Sequence, residues 1–222
     1  MRADRPRRRP EHEGDAIAPV APIAVLDYGS GNLHSVSRAL AHAGGEPVVT
    51  DDASRAAAAD ALVIPGVGHF GHCVRAIRAR GLDRAIAEAV GTGKRVFGVC
   101  VGMQVLFERS DEDPEVGLGV LPGVSRRLPG GDGVKVPHIG WNEVAWRRTH
   151  PYTEGIPDGT RFYFVHSYAP DATDDTVGVT EHGRRFAAVA SRDNVFATQF
   201  HPEKSGEAGL AIYANFVKAV SG

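Results

Sequence analysis

The chain has 222 residues, 42% of them hydrophobic, and 25 basic against 27 acidic side chains give a formal net charge of −2. That length suffices for one large domain with a substantial core, and the balanced charge supplies no global field for DNA, RNA or an anionic membrane. No apolar run approaches a membrane span, and two cysteines exclude both a disulfide scaffold and a four-cysteine zinc site.

Two isolated cysteines suit a reducing, cytoplasmic setting in which one thiol is reactive. Residues 1–20 stand apart. Arg2, Arg5, Arg7, Arg8 and Arg9 are interspersed with acids and prolines, with almost nothing to bury. No apolar stretch of a secretory signal follows this basic start. A disordered extension is expected over 1–20, and a single folded domain over 21–222.

Ile23-Ala24-Val25-Leu26 reads as a short buried strand ending at Asp27, followed by the loop Tyr28-Gly29-Ser30-Gly31-Asn32. Leu33, Val36, Leu40 and Ala43 recur at helical spacing and Gly44-Gly45 closes that helix. Val48-Val49 and Ala61–Ile64 are the second and third strands, the third ending at Pro65-Gly66-Val67-Gly68. Phe70, Val74 and Ile77, then Leu82, Ile86 and Val90 after Gly81, give two more helical stretches. Arg95–Val99 is a fourth strand, and Met103, Leu106 and Phe107 are expected to begin a further helix. Short apolar strands alternating with helices predict βαβ units and a parallel sheet covered on both faces. In the second half, Gly140–Val144, Arg161–Tyr168, Val177–Thr180, Phe186–Ala190 and Val195–Phe200 read as successive strands joined by turns, an antiparallel extension. An amphipathic helix from about Glu207 to Val220 closes the chain.

The segment richest in chemistry is Gly98-Val99-Cys100-Val101-Gly102, which follows an apolar strand and precedes a helical pattern. This is the arrangement of a nucleophile elbow, where the flanking residues must be small because the turn is tight. The following N–H groups favour thiolate and can bind an oxyanion, that of Val101 first. Taken alone, the segment equally describes a buried core cysteine. A partner stands near the C-terminus, where the strand from Val195 delivers His201-Pro202-Glu203. A thiol needs a base, and a base needs a group to fix its tautomer; His201 and Glu203 can fill both roles. No further ligands at sensible spacing support a metal site there. The loop Pro65–Gly68 can bring backbone N–H groups to the same sheet edge, as an oxyanion hole, a phosphate cradle or an ordinary turn. It lacks the Gly-Lys-Ser/Thr of a phosphate loop.

In this order, the three segments resemble the class I, triad-type glutamine amidotransferases. Among these, the chain is similar to the glutaminase subunits of imidazole glycerol phosphate synthases. The likeness covers about Ile23 to Val220. Asp27-Tyr28-Gly29-x-Gly31-Asn32, Pro65-Gly66-Val67-Gly68-His69-Phe70, Gly98-x-Cys100-x-Gly102-Met103-Gln104, Pro137-His138-x-Gly140-Trp141-Asn142, Tyr163–Tyr168 and His201-Pro202-Glu203-Lys204-Ser205 match that pattern. Val101 replaces the usual Leu, and the Arg-rich tail is additional.

The resemblance implies a three-layer α/β fold with a mostly parallel central sheet, flanking helices and an antiparallel extension. It implies that Cys100 attacks the side-chain amide of glutamine, with His201 moving protons and Glu203 orienting it. The oxyanion would be held by Val101 and a donor from Val67 or Gly68, after that loop reorients. Gly68, Gln104 and the backbone of His166, Ser167 and Tyr168 would hold the amino-acid end of glutamine. No cofactor or metal is implied. The implied partner is a (β/α)8-barrel cyclase in a heterodimer, facing Trp141, Asn142, Tyr163 and Lys204. There ammonia would be used to form imidazole glycerol phosphate and aminoimidazole carboxamide ribotide in histidine biosynthesis. The alternatives are another triad amidotransferase subunit, a free-standing cysteine hydrolase, or a regulatory binding module, which predicts a broken triad, whereas all three members are present here. Cys73 is expected to pack in a helix and His72 to lie at the surface, while His69 and His138 have no proton-transfer role.

Overall fold

The computed structural model describes residues 21–29, 31–131 and 133–222, so the extension expected over 1–20 lies outside the described residues. The first half runs β1 (Pro22–Leu26), α1 (Leu33–His42), β2 (Glu46–Thr50), α2 (Ala53–Ala58), β3 (Ala61–Gly66), α3 (Phe70–Ala79), α4 (Leu82–Gly91) and β4 (Arg95–Cys100). A one-turn helix α5 (Val101–Gln104) follows, then β5 (Phe107–Ser110), β6 (Asp113–Val116) and β7 (Leu121–Arg127). The rest comprises β8 (His138–Glu143), β9 (Ala145–Trp146), β10 (Arg161–His166), β11 (Tyr168–Pro170), β12 (Thr176–His182), β13 (Arg184–Arg192), β14 (Val195–Thr198) and α6 (Gly206–Ser221).

The main sheet has the order β2-β1-β3-β4-β14-β13-β12-β9. Its first five strands are parallel and the last three antiparallel. Among the flanking helices, α6 packs beside α1, while α4 packs against both α2 and α3. Strands covered on both faces must be apolar throughout, and every residue of β3 and β14 is buried. Phe97 of β4 sits at the centre, with Phe196 of β14 edge-on at 5.2 Å and Phe216 of α6 at 5.4 Å between ring centroids. Burying such a side chain contributes roughly 1.5–3 kcal/mol. Among the described residues no helix is long and apolar enough to cross a membrane.

Two expectations need correction. The helix after Cys100 is one turn, because the carbonyls of Val105 and Leu106 accept the N–H groups of Leu118 and Val120, at 2.8 and 2.9 Å, instead of those of a following helical turn. Phe107 opens β5 instead. The expected strand Arg161–Tyr168 divides at Ser167: β10 pairs with β8 in a two-stranded ribbon, whereas β11 pairs with β7 in a separate four-stranded sheet. The chain changes sheets there, at the rim of the site described next.

Candidate active site

The neighbouring parallel strands β3, β4 and β14 end on one edge of the main sheet, and each delivers one part of a common site. At the end of β4, Cys100 has φ 55° and ψ −110°, a conformation that costs a non-glycine residue about 1–3 kcal/mol. Glycines hold it there by close approach. A Cβ on Gly102 would overlap the Ile64 carbonyl of β3, and one on Gly98 would lie 2.7 Å from the Gly102 carbonyl oxygen. Gly66 is packed against the Gly102 N–H in the same way. The Tyr28 hydroxyl donates to the Pro65 carbonyl and fixes the end of β3. With α5 a single turn, the positive end facing Cys100 consists of local N–H groups rather than a long helix dipole.

β14 leads to His201, whose backbone N–H donates to the Tyr163 carbonyl of β10 at 3.0 Å. Its Nδ1 lies 2.7 Å from Glu203 Oε1, and both side chains are buried. The carboxylate at Nδ1 fixes the proton there and leaves Nε2 for exchange. Nε2 has no hydrogen-bond partner among the described residues. Burial opposes charge on this ring, but the Cys100 sulfur and the Glu203 carboxylate outweigh it and raise the pKa to about 10. Glu203 is itself held by Asn32 Nδ2 at Oε1, and by the Tyr213 hydroxyl at 3.4 Å from Oε2. Asn32 occupies the N-cap position of α1 but makes no side-chain cap; its amide serves the carboxylate instead. Burial and the Glu203 charge push the Tyr213 phenol well up.

Cys100 and His201 line a cavity of about 420 Å³ together with Val67, Gly68, Val101 and Gln104, and His166, Ser167, Tyr168 and Lys204 also border it. Glu112, Pro137 and Val165 also line it; Pro137 and Val165 lie in matched motifs, but none of the three was given a role from sequence. Glu112 accepts the Phe70 N–H at 2.7 Å, fastening the start of α3 just after the Val67–Gly68 loop. In that loop Gly68 has φ 98°, and the Val67 carbonyl lies 3.7 Å from the Cys73 thiol, which is buried as expected. A larger concavity of about 760 Å³, between Trp146 and Ile156, contains none of the candidate residues.

The far wall is the β8–β10 ribbon. Ile139 and Trp141 alternate on its outer face, 61% and 51% exposed, opposite Val165 and Tyr163 in register. The Trp141 and Tyr163 rings meet edge to face at 6.1 Å. Lys204 is exposed at the cavity mouth. Asn142 is committed inward: its Nδ2 donates to the Glu181 carbonyl at 3.0 Å and lies 3.2 Å from His138 Nε2. His138 Nδ1 lies 3.1 Å from His166 Nε2, and burial with the nearby His182 lowers the His138 pKa to about 4. His69 and His72 are exposed and line no part of the cavity.

A class-I glutamine amidotransferase family model matches residues 24–220. The imidazole glycerol phosphate synthase subunit HisH of Dechloromonas aromatica is 49% identical over 207 residues, covering 88% of this chain and 95% of that protein. The subunit of the same name from Aromatoleum aromaticum is 46% identical over 206 residues, covering 88% and 97%. In fold, the chain superimposes on PurLQS from Thermotoga maritima with a TM-score of 0.70 at 22% identity, covering 90% of this chain and 99% of that one. A solved glutamine amidotransferase gives 0.67 at 22% identity, covering 89% and 98%.

Proposed function

Because the chain belongs to the class-I glutamine amidotransferases, in the family of HisH subunits of imidazole glycerol phosphate synthase, we propose that Cys100, His201 and Glu203 are its nucleophile, proton carrier and orienting carboxylate. It is the glutaminase subunit of that synthase, with glutamine as substrate and a cyclase as partner. One observation carries the assignment of residues. A strained thiol and an imidazole with an unpartnered Nε2 border the same cavity, and a buried carboxylate holds the imidazole's other nitrogen.

On this reading the Cys100 thiol gives its proton to His201 Nε2, and the sulfur adds to the side-chain carbonyl carbon of glutamine. The new oxyanion is met by the Val101 N–H and by an N–H of the Val67–Gly68 loop, each donor of this kind being worth on the order of 10²–10³ in rate. His201 returns the proton to the departing nitrogen as the carbon–nitrogen bond breaks, releasing ammonia and leaving a thioester. Water then adds with His201 as base, the carbon–sulfur bond breaks, and glutamate leaves. Glu203 steadies the imidazolium through both steps.

The amino-acid end of glutamine would lie against Gly68, Gln104 and residues 166–168. The Ser167 carbonyl is already bonded to the Leu128 N–H at 2.8 Å. The Tyr168 carbonyl receives Gln104 at 2.8 Å. The Nε2 of Gln104 is likewise engaged, so its Oε1 is left to accept from the ammonium. The partner, a (β/α)8 barrel in this proposal, would dock on Trp141, Tyr163 and Lys204 in a heterodimer and draw off the ammonia. Reorientation of the Val67–Gly68 loop would follow docking.

The test is a glutaminase assay of the full chain with and without the cyclase. Activity should be low alone and rise strongly with the cyclase and its ligand; equal rates would reject the gating. Cys100→Ala should lower turnover by about 10⁴-fold or more while leaving assembly intact. Turnover that survives this substitution removes Cys100 as nucleophile.

A further inference from the structure

Gln199 lies between β14 and His201, yet the reaction described above does not use it. It is fully buried and does not line the cavity. Its Nε2 is 3.7 Å from Cys100 Sγ, and its Oε1 receives Gln104 Nε2 at 3.0 Å. Which end of the amide faces the sulfur is set by a chain of neighbours. The Tyr168 main-chain carbonyl, 2.8 Å from Gln104, can only accept, so Gln104 must present its NH₂ group there. The same nitrogen meets Gln199, which must therefore offer its oxygen and turn its own NH₂ toward Cys100.

The anchor of this chain is fixed from the other side as well. His166 Nδ1 reaches the same carbonyl at 2.9 Å and must carry the hydrogen. Its Nε2 then accepts from His138 Nδ1 at 3.1 Å, and His138 Nε2 accepts from Asn142 Nδ2 at 3.2 Å. Every donor from Asn142 to the Tyr168 carbonyl points the same way, so the amide orientations are determined rather than interchangeable.

We propose that Gln199 is a further catalytic residue, donating a hydrogen bond to the sulfur of Cys100 that stabilises the thiolate and aims it into the cavity. Gln104 is then a positioning residue for this donor as well as part of the substrate site. An N–H bond to charged sulfur is stronger than one to a neutral thiol, so the contact favours the attacking form. It also receives the sulfur when it leaves the thioester. The Val165 carbonyl, 4.0 Å from Sγ, can hold only the hydrogen of the resting thiol and does not serve the anion.

Hydrogen bonds to charged groups change the population of the charged form by roughly 10–100-fold. A stabilised thiolate is also intrinsically less nucleophilic, which returns about half of that gain on a logarithmic scale. Removing the donor should therefore slow reactions of Cys100 by about 3–10-fold. This proposal rests on the reading of Cys100 as nucleophile, and alkylation by iodoacetamide tests it without involving glutamine.

In the full chain assembled with its cyclase, Gln199→Met should slow Cys100 alkylation at neutral pH by about 3–10-fold and lower kcat by about tenfold. KM for glutamine should change less than kcat, because the Tyr168 carbonyl still holds Gln104 Nε2 when Gln199 is replaced. An unchanged alkylation rate in a variant that folds and binds the cyclase overturns the proposal. So does a fall in kcat alone, which would assign Gln199 to packing. Gln199→Glu keeps the oxygen that receives Gln104 but replaces the donor with an acceptor, and should show the larger drop. Should neither variant fold, the chain with native Gln199 still decides: its side-chain amide resonances must shift on Cys100→Ala, and stationary resonances refute the contact. A failure of the glutaminase assignment appears separately, as turnover surviving Cys100→Ala.

Discussion

The two walls of the cavity are held by different forces. On the nucleophile's side, three parallel strand ends are fixed by backbone packed on backbone, with Gly66, Gly98 and Gly102 at contacts that admit no side chain. On the opposite side, the β8–β10 ribbon is tied down by side-chain hydrogen bonds running from Asn142 through His138 and His166 to Tyr168. Packed backbone cannot adjust without unfolding its neighbours, whereas a hydrogen-bonded chain can be rearranged by protonation or by a ligand. The arrangement gives the Cys100 sulfur a rigid seat, whereas the adjustable wall borders the cavity at His166 and carries the exposed Trp141 on its outer face.

The strongest way to break this contrast is Gly102→Ala. The added methyl overlaps the Ile64 carbonyl of a fully buried strand, so β3 and β4 must separate. A destabilisation of about 3 kcal/mol or more is expected in denaturant unfolding. A loss below 1 kcal/mol would show the seat to be soft and remove the distinction between the walls.

Trp141→Ala probes the other wall. The ring is half exposed and touches Tyr163 edge to face, so the isolated chain should lose little stability. Affinity for the cyclase should fall by roughly 30-fold, as for a central aromatic anchor. Titration of the cyclase measures this, and an unchanged affinity moves the docking surface off the ribbon. Tyr163 makes the ribbon relevant to catalysis too, because its carbonyl receives the His201 N–H and its own N–H donates to Ser205 Oγ at 3.0 Å.

The same contrast explains what was legible in the sequence. The elbow is a local device: an apolar strand, two glycines and a cysteine within five residues announce both the turn and its chemistry. The parallel strands were equally plain, since runs such as Ala61–Ile64 are buried on both faces. The supports of the triad were not. Asn32 reaches Glu203 across 171 positions and Gln199 meets Cys100 across 99, and no spacing rule connects residues so far apart. The motif around Asn32 matches the family pattern, but its residues gave no sign of holding Glu203. β5 and β6 escaped because they are four residues long with mixed burial, and the break at Ser167 because no glycine or proline interrupts the run from Arg161 to Tyr168.

Acid and alkali should separate the walls most finely. His138 and His166 are kept neutral chiefly by burial, with pKa values lowered to about 4 and about 3 from 6.5. Groups lowered in this way contribute stability that is present above pH 6.5, shrinks as the unfolded chain takes up protons, and is gone below the folded values. The charge facing His138 is His182, and those facing His166 are His138 first, then His182 and His201; all oppose protonation. His201 behaves in the opposite sense: raised to about 10, it contributes stability that is complete below 6.5 and lost as pH rises through 10. Acid should therefore loosen the ribbon first, raising KM for glutamine before kcat falls, whereas alkali should discharge His201 and lower kcat first. His138→Phe preserves the stacking on Phe164 and His182 but removes one titrating ring. It should cost about 1–2 kcal/mol near pH 7.5 by leaving His166 Nε2 without its donor. Between pH 6.5 and 4 its unfolding midpoint should then fall less steeply than that of the native chain. An equal slope in the two proteins would mean that the ribbon's acid response does not reside in His138.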